Sequence, residues 1–254
     1  MNDDAALASI ELSSHSLRLP SVKRLSKRLA EEATRRHQGH LEFLATVLLA
    51  EVDERDERRR ARRVKAAGFP RTKLLGDFDF AQSPSVNAAT LAALEGGGYL
   101  GRAEPVVLLG DSGTGKSHLL IGLGMAACEQ GASVRYVTCA QLVNELAEAA
   151  DDKRLSKLLA RYGRVDLLLL DELGYVKLDN RGAELLFQIL TEREERSSIA
   201  TASNLPFSEW GKVITDARLV AAIIDRLTFN AHIIETGSQS FRLKSTQARR
   251  AKRA

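Results

Sequence analysis

From residue 106 onward, short apolar runs alternate with longer amphipathic stretches. The apolar runs predict five β-strands, at residues 106–109, 134–138, 166–170, 199–202 and 232–235. The stretches between them predict helices at residues 118–129, 141–149, 181–195 and 217–228. Strands that alternate with helices are typical of a parallel, doubly wound sheet. We therefore predict an α/β core that begins near Leu75 and has a five-stranded parallel sheet.

A different pattern precedes this core. Residues 1–17 show no sustained period, and we expect a flexible N-terminus there. Within residues 18–70, apolar side chains such as Leu41, Leu44 and Leu48 recur at helical spacing among many charges. This pattern predicts a small all-helical N-terminal domain that ends near residue 70. Such a domain could dock on the core, bind a protein partner or lie along DNA.

The first predicted strand leads directly into a glycine-rich motif. Residues 106–117 read VVLLGDSGTGKS, and a helix-forming stretch follows. A strand, a loop of the form Gly-x-x-x-x-Gly-Lys-Ser and a helix together predict a P-loop NTPase. The glycines let backbone N–H groups converge on phosphate oxygens, and the helix directs its positive dipole end at the same anion. The residues predicted to bind the nucleotide are Gly110, Asp111, Ser112, Gly113, Thr114, Gly115, Lys116, Ser117 and His118.

The third predicted strand supplies acids for the same site. Residues 166–172 read DLLLLDE, and a fully apolar strand of this kind is typical of the centre of a parallel sheet. Acids at its carboxyl end lie where α/β sheets bind ligands. We expect Ser117 and Asp171 to ligate Mg²⁺ beside ATP, with Lys116 on the terminal phosphates. Glu172 is placed to orient and deprotonate an attacking water.

Two further polar residues have two interpretations each. Asn204, after the fourth strand, could hydrogen-bond both the terminal phosphate and the attacking water, or could be a turn residue before Pro206. Arg226 could neutralise charge on the phosphoryl group of a neighbouring subunit. The residues alone favour the other interpretation, a surface pair of Arg226 with Asp225.

The charges are unevenly distributed. The chain of 254 residues has a net charge of +4, but residues 18–73 contain 16 Lys or Arg against 8 Asp or Glu, and residues 242–254 contain six basic residues and no acid. This layout favours contact with a polyanion such as DNA, although solvated surface helices would look the same.

No apolar run is long enough for a membrane span. With two isolated cysteines and an acidic N-terminus, we expect a cytoplasmic protein.

Several segments together resemble the IstB-type transposition helper ATPases. They are GDSGTGKSHL, LLLLDELGYVKLDNRGAELLFQIL, ATASNLPFSEW, IIDRLTFNAHIIETGSQSFRL and an upstream FDF. These ATPases belong to the AAA+ superfamily, within the ASCE type of P-loop NTPases, and are close to the DnaC helicase loaders. The resemblance implies an ATPase domain at residues 71–245 and leaves a basic tail at 246–254.

The same resemblance implies roles and partners. Asn204 would be sensor 1, Arg226 the arginine finger with Arg218 as second choice, and Arg242 a late nucleotide- or partner-contacting arginine. The protein would form homo-oligomers with ATP, bind double-stranded DNA with little sequence preference, and recruit and activate the transposase of its element. Three alternatives stay open at this point: a DnaC-like helicase loader, a small-molecule kinase, and a nucleotide-dependent scaffold with negligible turnover.

Overall fold

The computed structural model describes residues 2–238, so Arg242 and the basic tail at 246–254 lie outside the described residues. The described chain divides into two compact units, and the boundary along the chain lies between Arg62 and Arg63. This division falls before residue 70, the predicted end of the helical domain.

The N-terminal unit is helical, as predicted. It contains α1 (Asp3–Ser16), α2 (Pro20–Arg35) and most of α3 (His40–Ala67). Within residues 1–17, where we expected a flexible segment, the structure has α1, and Asn2 caps its first turn by accepting a hydrogen bond from the Ala5 N–H. No side chain of α2 caps its own start. Instead Glu51 of α3 accepts hydrogen bonds from the N–H groups of Ser21 and Val22, at 2.8 and 3.2 Å.

The second unit begins with the last turn of α3 and two short 3₁₀ turns, Leu75–Asp77 and Phe80–Gln82. Next come α4 (Ala88–Glu95) and the single turn α5 (Gly98–Gly101). The other helices are α6 (Lys116–Glu129), α7 (Cys139–Asp151), α8 (Leu155–Gly163), α9 (Asn180–Arg193) and α10 (Ala217–Thr228). The strands are β1 (Val106–Leu109), β2 (Val134–Thr138), β3 (Leu167–Leu173), β4 (Ser198–Ser203) and β5 (His232–Glu235). All five predicted strands and all four predicted helices are present, with small shifts at some ends. α4, α5 and α8 were not predicted.

The five strands form one parallel sheet with the order β2-β3-β4-β1-β5. This arrangement confirms the predicted doubly wound α/β fold. β1 and β3 both neighbour β4, where Leu109 is paired with Ser203 and Leu170 with Thr201. Because all strands run in one direction, the phosphate loop after β1 and the acids that end β3 reach the same edge of the sheet.

The leucine run of β3 explains why this strand lies in the interior of the sheet. Leu168 and Leu170 pack in the hydrophobic cluster on one face of the sheet, and Leu167 and Leu169 pack in the cluster on the other face. All four are fully buried. Side chains of a strand point alternately to opposite faces, so an uninterrupted apolar run is needed when helices cover both. Each such side chain contributes about 1.5–3 kcal/mol of burial free energy.

A buried arginine joins the amino ends of β3 and β4. The guanidinium of Arg193 donates hydrogen bonds to the carbonyls of Val165 and Ser198, at 3.0 and 2.5 Å, and also to the carbonyl of Tyr162. Burial lowers its pKa to about 10, so the side chain stays charged near neutral pH. The contacts fix the two strands whose other ends carry the candidate site.

Over residues 2–238, no helix has the length and apolarity that a bilayer crossing requires.

Candidate nucleotide site

The loop between β1 and α6 needs glycine at its last position. Gly115 has φ of +99°, which side chains rarely adopt, and a Cβ there would lie 2.7 Å from Cε2 of Phe78. Within the described part of the chain, the backbone N–H groups of Ser112, Gly113 and Gly115 have no hydrogen-bond partner. A loop with unpaired amides at the start of a helix is suited to bind an anion.

Lys116 is the first residue of α6 and is buried, with 9% of its surface exposed. Its ammonium donates hydrogen bonds to the carbonyls of Gly110 and Asp111, at 2.6 and 2.7 Å. The loop therefore holds this positive charge against its own backbone, within the anion-binding segment. Gly110 and Asp111 contribute carbonyls here and do not line the cavity described below.

At the end of β3 the two acids have different environments. Asp171 is only 4% exposed, and both of its carboxylate oxygens accept hydrogen bonds. The hydroxyl of Tyr136 on β2 donates to Oδ2 at 2.8 Å, and the backbone N–H of Glu172 donates to Oδ1 at 2.8 Å. Burial, and then the charge of Asp171, raise the pKa of Tyr136, so its hydroxyl remains a donor at physiological pH.

Glu172 is exposed and has a left-handed backbone, with φ of +60°. The pairing of β3 with β4 shifts register between Leu170 and Leu173, which surround the acidic pair. A non-glycine residue in this conformation costs about 1–2 kcal/mol and is held by the structure around it. The irregularity gives the two consecutive acids different surroundings, with Asp171 buried and Glu172 open to solvent.

Asn204 directly follows β4. Its Oδ1 atom is buried and accepts no hydrogen bond from the described residues. A buried acceptor without a partner costs about 1–3 kcal/mol. Its position at the cavity wall is consistent with an acceptor reserved for a bound group.

One cavity of about 360 Å³ brings these residues together. Its lining includes Ser112, Gly113, Thr114, Gly115, Lys116, Ser117, His118, Asp171, Glu172 and Asn204. The Ser117 hydroxyl and the Asp171 carboxylate are hard oxygen donors of the kind that Mg²⁺ prefers, and the loop amides suit phosphate. The residues present therefore fit a magnesium nucleotide.

One wall of this cavity was not predicted from the sequence. It is formed by the segment before β1 and by one residue after β3, namely Arg71, Lys73, Asp77, Phe78, Asp79 and Tyr175. The ring of Phe78 meets that of His118 edge to face, with centroids 5.6 Å apart, and a ring nitrogen of His118 lies 2.8 Å from the carbonyl oxygen of Leu74. The FDF segment, which contains Phe78 and Asp79, was the available signal for this wall.

Arg226 lies away from the cavity. Its Nε atom is 3.2 Å from Oε2 of Glu194, in an ion pair without hydrogen-bond alignment, and its guanidinium lies 4.3 Å from the ring centroid of Phe187. The partner is thus Glu194 and not the Asp225 considered from the sequence. With Pro105 and Ile199 it borders a small cavity at the amino ends of β1 and β4, the opposite edge of the sheet from the phosphate loop. Arg218 is 94% exposed and pairs with Asp216 at 3.5 Å.

Sequence comparison finds relatives over almost the whole chain. Residues 13–249 match the family described as IstB-like ATP-binding proteins. An ATP-binding protein of insertion sequence IS5376 from Geobacillus stearothermophilus is 34% identical over 238 residues, which cover 94% of this chain and 95% of that protein. An ATP-binding protein of insertion sequence IS21 from Pseudomonas aeruginosa is 35% identical, over 85% of this chain and 82% of that protein.

Solved structures share the fold. A DNA replication initiation factor superposes with a TM-score of 0.56 at 22% identity. The superposition covers 72% of this chain and 55% of that chain. DnaI superposes with a TM-score of 0.54 at 20% identity, over 70% of this chain and 98% of that one. At these identities the likeness shows the fold alone.

Proposed function

The chain belongs to the family of IstB-like ATP-binding proteins, and we propose that it is an insertion-sequence ATPase that assembles on DNA with ATP and recruits and activates the transposase of the same element. ATP hydrolysis resets the assembly. The observation that carries the proposal is the meeting of the phosphate loop and the Asp171–Glu172 pair in one cavity. The protein would act in the bacterial cytoplasm, where it associates with DNA.

We assign the following roles within one subunit. The loop amides and Lys116 bind the phosphates, and Ser117 with Asp171 hold Mg²⁺. When bound, Mg²⁺ neutralises negative charge on the phosphate oxygens. Glu172 orients the attacking water and accepts its proton, a role that its exposed position at the cavity wall supports. The amide oxygen of Asn204, which has no partner among the described residues, accepts a hydrogen bond from the attacking water, and its amide nitrogen donates one to the terminal phosphate.

Arg226 would act on the nucleotide of a neighbouring subunit. Its place at the opposite edge of the sheet from the phosphate loop argues against a role within its own site. A guanidinium held by a neighbour neutralises charge on the phosphoryl group, so the complete site requires two subunits. This arrangement would link ATP binding to oligomer formation.

We propose that the N-terminal unit contacts DNA phosphates through α2. Lys27, Arg28 and Arg35 are exposed, and none of them has an ion-pair partner within the described residues. Arg58 and Arg59 of α3, in contrast, pair with Glu54 and Asp56 of the same helix. The unpaired cations are the better candidates, because their charge is not compensated locally.

Salt dependence tests the DNA contact. Alanine at Lys27, Arg28 and Arg35 together should reduce the slope of log affinity against log salt by about 2.7, since each phosphate contact contributes about 0.9. The control is alanine at Arg196 and Lys212 of the second unit. Both are exposed cations, and each pairs with an acid nearby in the sequence. An unchanged slope in the triple variant would show that α2 does not bind DNA.

Size analysis tests the proposed function as a whole. We expect a larger species with ATP, magnesium and duplex DNA together than with any one of them, and phosphate release without any added acceptor. The assembled protein should retain the transposase of its element in a pull-down. Retention of a replicative helicase instead would replace the transposition role with helicase loading. No phosphate release from the assembled protein would contradict the ATPase.

A further inference from the structure

We infer that Tyr136 is a positioning residue of the nucleotide site, whose hydroxyl fixes the orientation in which the Asp171 carboxylate meets magnesium. The inference rests on the proposed function. It begins from the short contact between Tyr136 and Oδ2 of Asp171, at 2.8 Å. The sequence offered no sign of this contact, because the two residues are 35 positions apart.

The pairing of β2 with β3 makes the contact possible. Thr138 is the register partner of Asp171, and Tyr136 is the partner of Leu169. Tyr136 and Asp171 are therefore diagonal neighbours on the same face of the sheet. Long aromatic side chains can reach across such a diagonal, whereas short hydroxyl side chains cannot.

Two donors on different oxygens restrict the rotation of a carboxylate. The backbone N–H of Glu172 binds Oδ1, and the hydroxyl of Tyr136 binds Oδ2, so the plane of the Asp171 carboxylate is defined at both ends. Each carboxylate oxygen can accept two hydrogen bonds or their equivalent. One acceptor position on each oxygen therefore remains for magnesium or for a water of its shell.

Tyr136 reaches Asp171 from outside the nucleotide cavity. It borders a neighbouring cleft that shares Arg71, Ser117, Asp171 and Glu172 with that cavity. Tyr136 itself is absent from the lining of the nucleotide cavity. The hydroxyl thus acts on the metal site through Asp171 and does not compete with the nucleotide for space. Removal of such an outer contact lowers metal affinity by about 10- to 100-fold in other proteins.

The chain contains a matched control. The hydroxyl of Tyr162 donates to Oε2 of Glu145 at 2.8 Å, which is the same type of bond at the same length. Tyr162 is more deeply buried than Tyr136 and lines neither of the two cavities. A purely structural effect of removing a tyrosine hydroxyl should therefore be at least as large in Tyr162→Phe as in Tyr136→Phe.

The experiment measures binding of a fluorescent, non-hydrolysable ATP analogue to the full-length protein, in EDTA and across a magnesium titration. We expect Tyr136→Phe to bind the analogue in EDTA as the wild type does. It should need about 10- to 100-fold more magnesium to reach the tight-binding state. Tyr162→Phe should follow the wild-type titration. In an Asp171→Asn background, Tyr136→Phe should add no further loss.

The outcomes separate the inference from the function it rests on. If the wild type fails to bind the analogue at any magnesium concentration, the proposed function is wrong. If the wild type binds with magnesium dependence and Tyr136→Phe has the same dependence, only the inference is wrong. Equal weakening of Tyr136→Phe in EDTA and in magnesium, or an additive loss in the Asp171→Asn background, would also overturn it.

Discussion

Replacement of Arg226 by alanine separates the structural and catalytic roles of this residue. In the folded chain Arg226 makes two contacts, the ion pair with Glu194 and the stacking over Phe187. The partly exposed ion pair contributes at most about 1 kcal/mol. The cation–π contact contributes about 0.5–1 kcal/mol. Their loss lowers the free energy of unfolding by about 0.5–2 kcal/mol. A domain with about 5–15 kcal/mol of stability therefore remains folded.

The expected catalytic effect is much larger. An arginine that reaches the phosphoryl group of a neighbour contributes about 10³- to 10⁵-fold in turnover. That range corresponds to about 4–7 kcal/mol of transition-state stabilisation. Arg226→Ala should therefore bind ATP, remain folded in a urea titration, and hydrolyse ATP at least about a thousandfold more slowly than the wild type.

Mixing subunits tests whether Arg226 acts across the interface. A Lys116→Ala subunit keeps Arg226 but lacks the phosphate-binding ammonium, so it should restore part of the activity of Arg226→Ala. Arg218→Ala, on the same helix but exposed, and Glu194→Ala, which removes the ion pair and keeps the arginine, should both hydrolyse ATP nearly normally. Absence of rescue in the mixture would refute the interface role. A loss in Glu194→Ala as large as in Arg226→Ala would make the effect structural.

Three other substitutions in the cavity have distinct expected results. Lys116→Ala should lose ATP binding by equilibrium titration, because the charge next to the loop amides is removed; wild-type affinity would contradict this. Glu172→Gln should bind ATP normally, hydrolyse it about 10²- to 10⁴-fold more slowly, and prolong the assembled state in size analysis; unchanged turnover would exclude the base role. Asn204→Ala should slow hydrolysis without lowering the free energy of unfolding, because the lost Oδ1 atom is unpaired; a clear loss of stability would show a structural role.

The sheet and half of the site could be predicted because their signals are local. Residues 106–117 place a strand, a loop and a helix start in one continuous segment, so no long-range pairing is needed to recognise the phosphate loop. The four leucines before Asp171 require burial on both faces, which puts β3 in the interior of the sheet. Parallel strands then bring the two segments to the same edge.

Other elements were missed for identifiable reasons. α8 is only nine residues long and follows α7 after a short turn, although Leu155, Leu159 and Tyr162 do recur at helical spacing. The segment that forms this cavity wall, residues 71–82, has two short 3₁₀ turns and no longer regular element. Its position depends on the packing of Phe78 against Gly115 and His118, which no local period encodes.

The residues around Asp171 depend on strand register, which the sequence of β2 leaves open. In β2, which reads VRYVT, the valines stand at the first and fourth positions and therefore point to opposite faces of the sheet. Hydrophobicity alone thus does not decide which face Tyr136 occupies. A slip of one residue against β3 would turn Tyr136 to the opposite face and break its bond to Asp171. The motif therefore identifies the residues that contact the nucleotide, whereas the residues that orient them follow from the register of neighbouring strands. Variants that shift this register should impair magnesium binding even when every motif residue is intact.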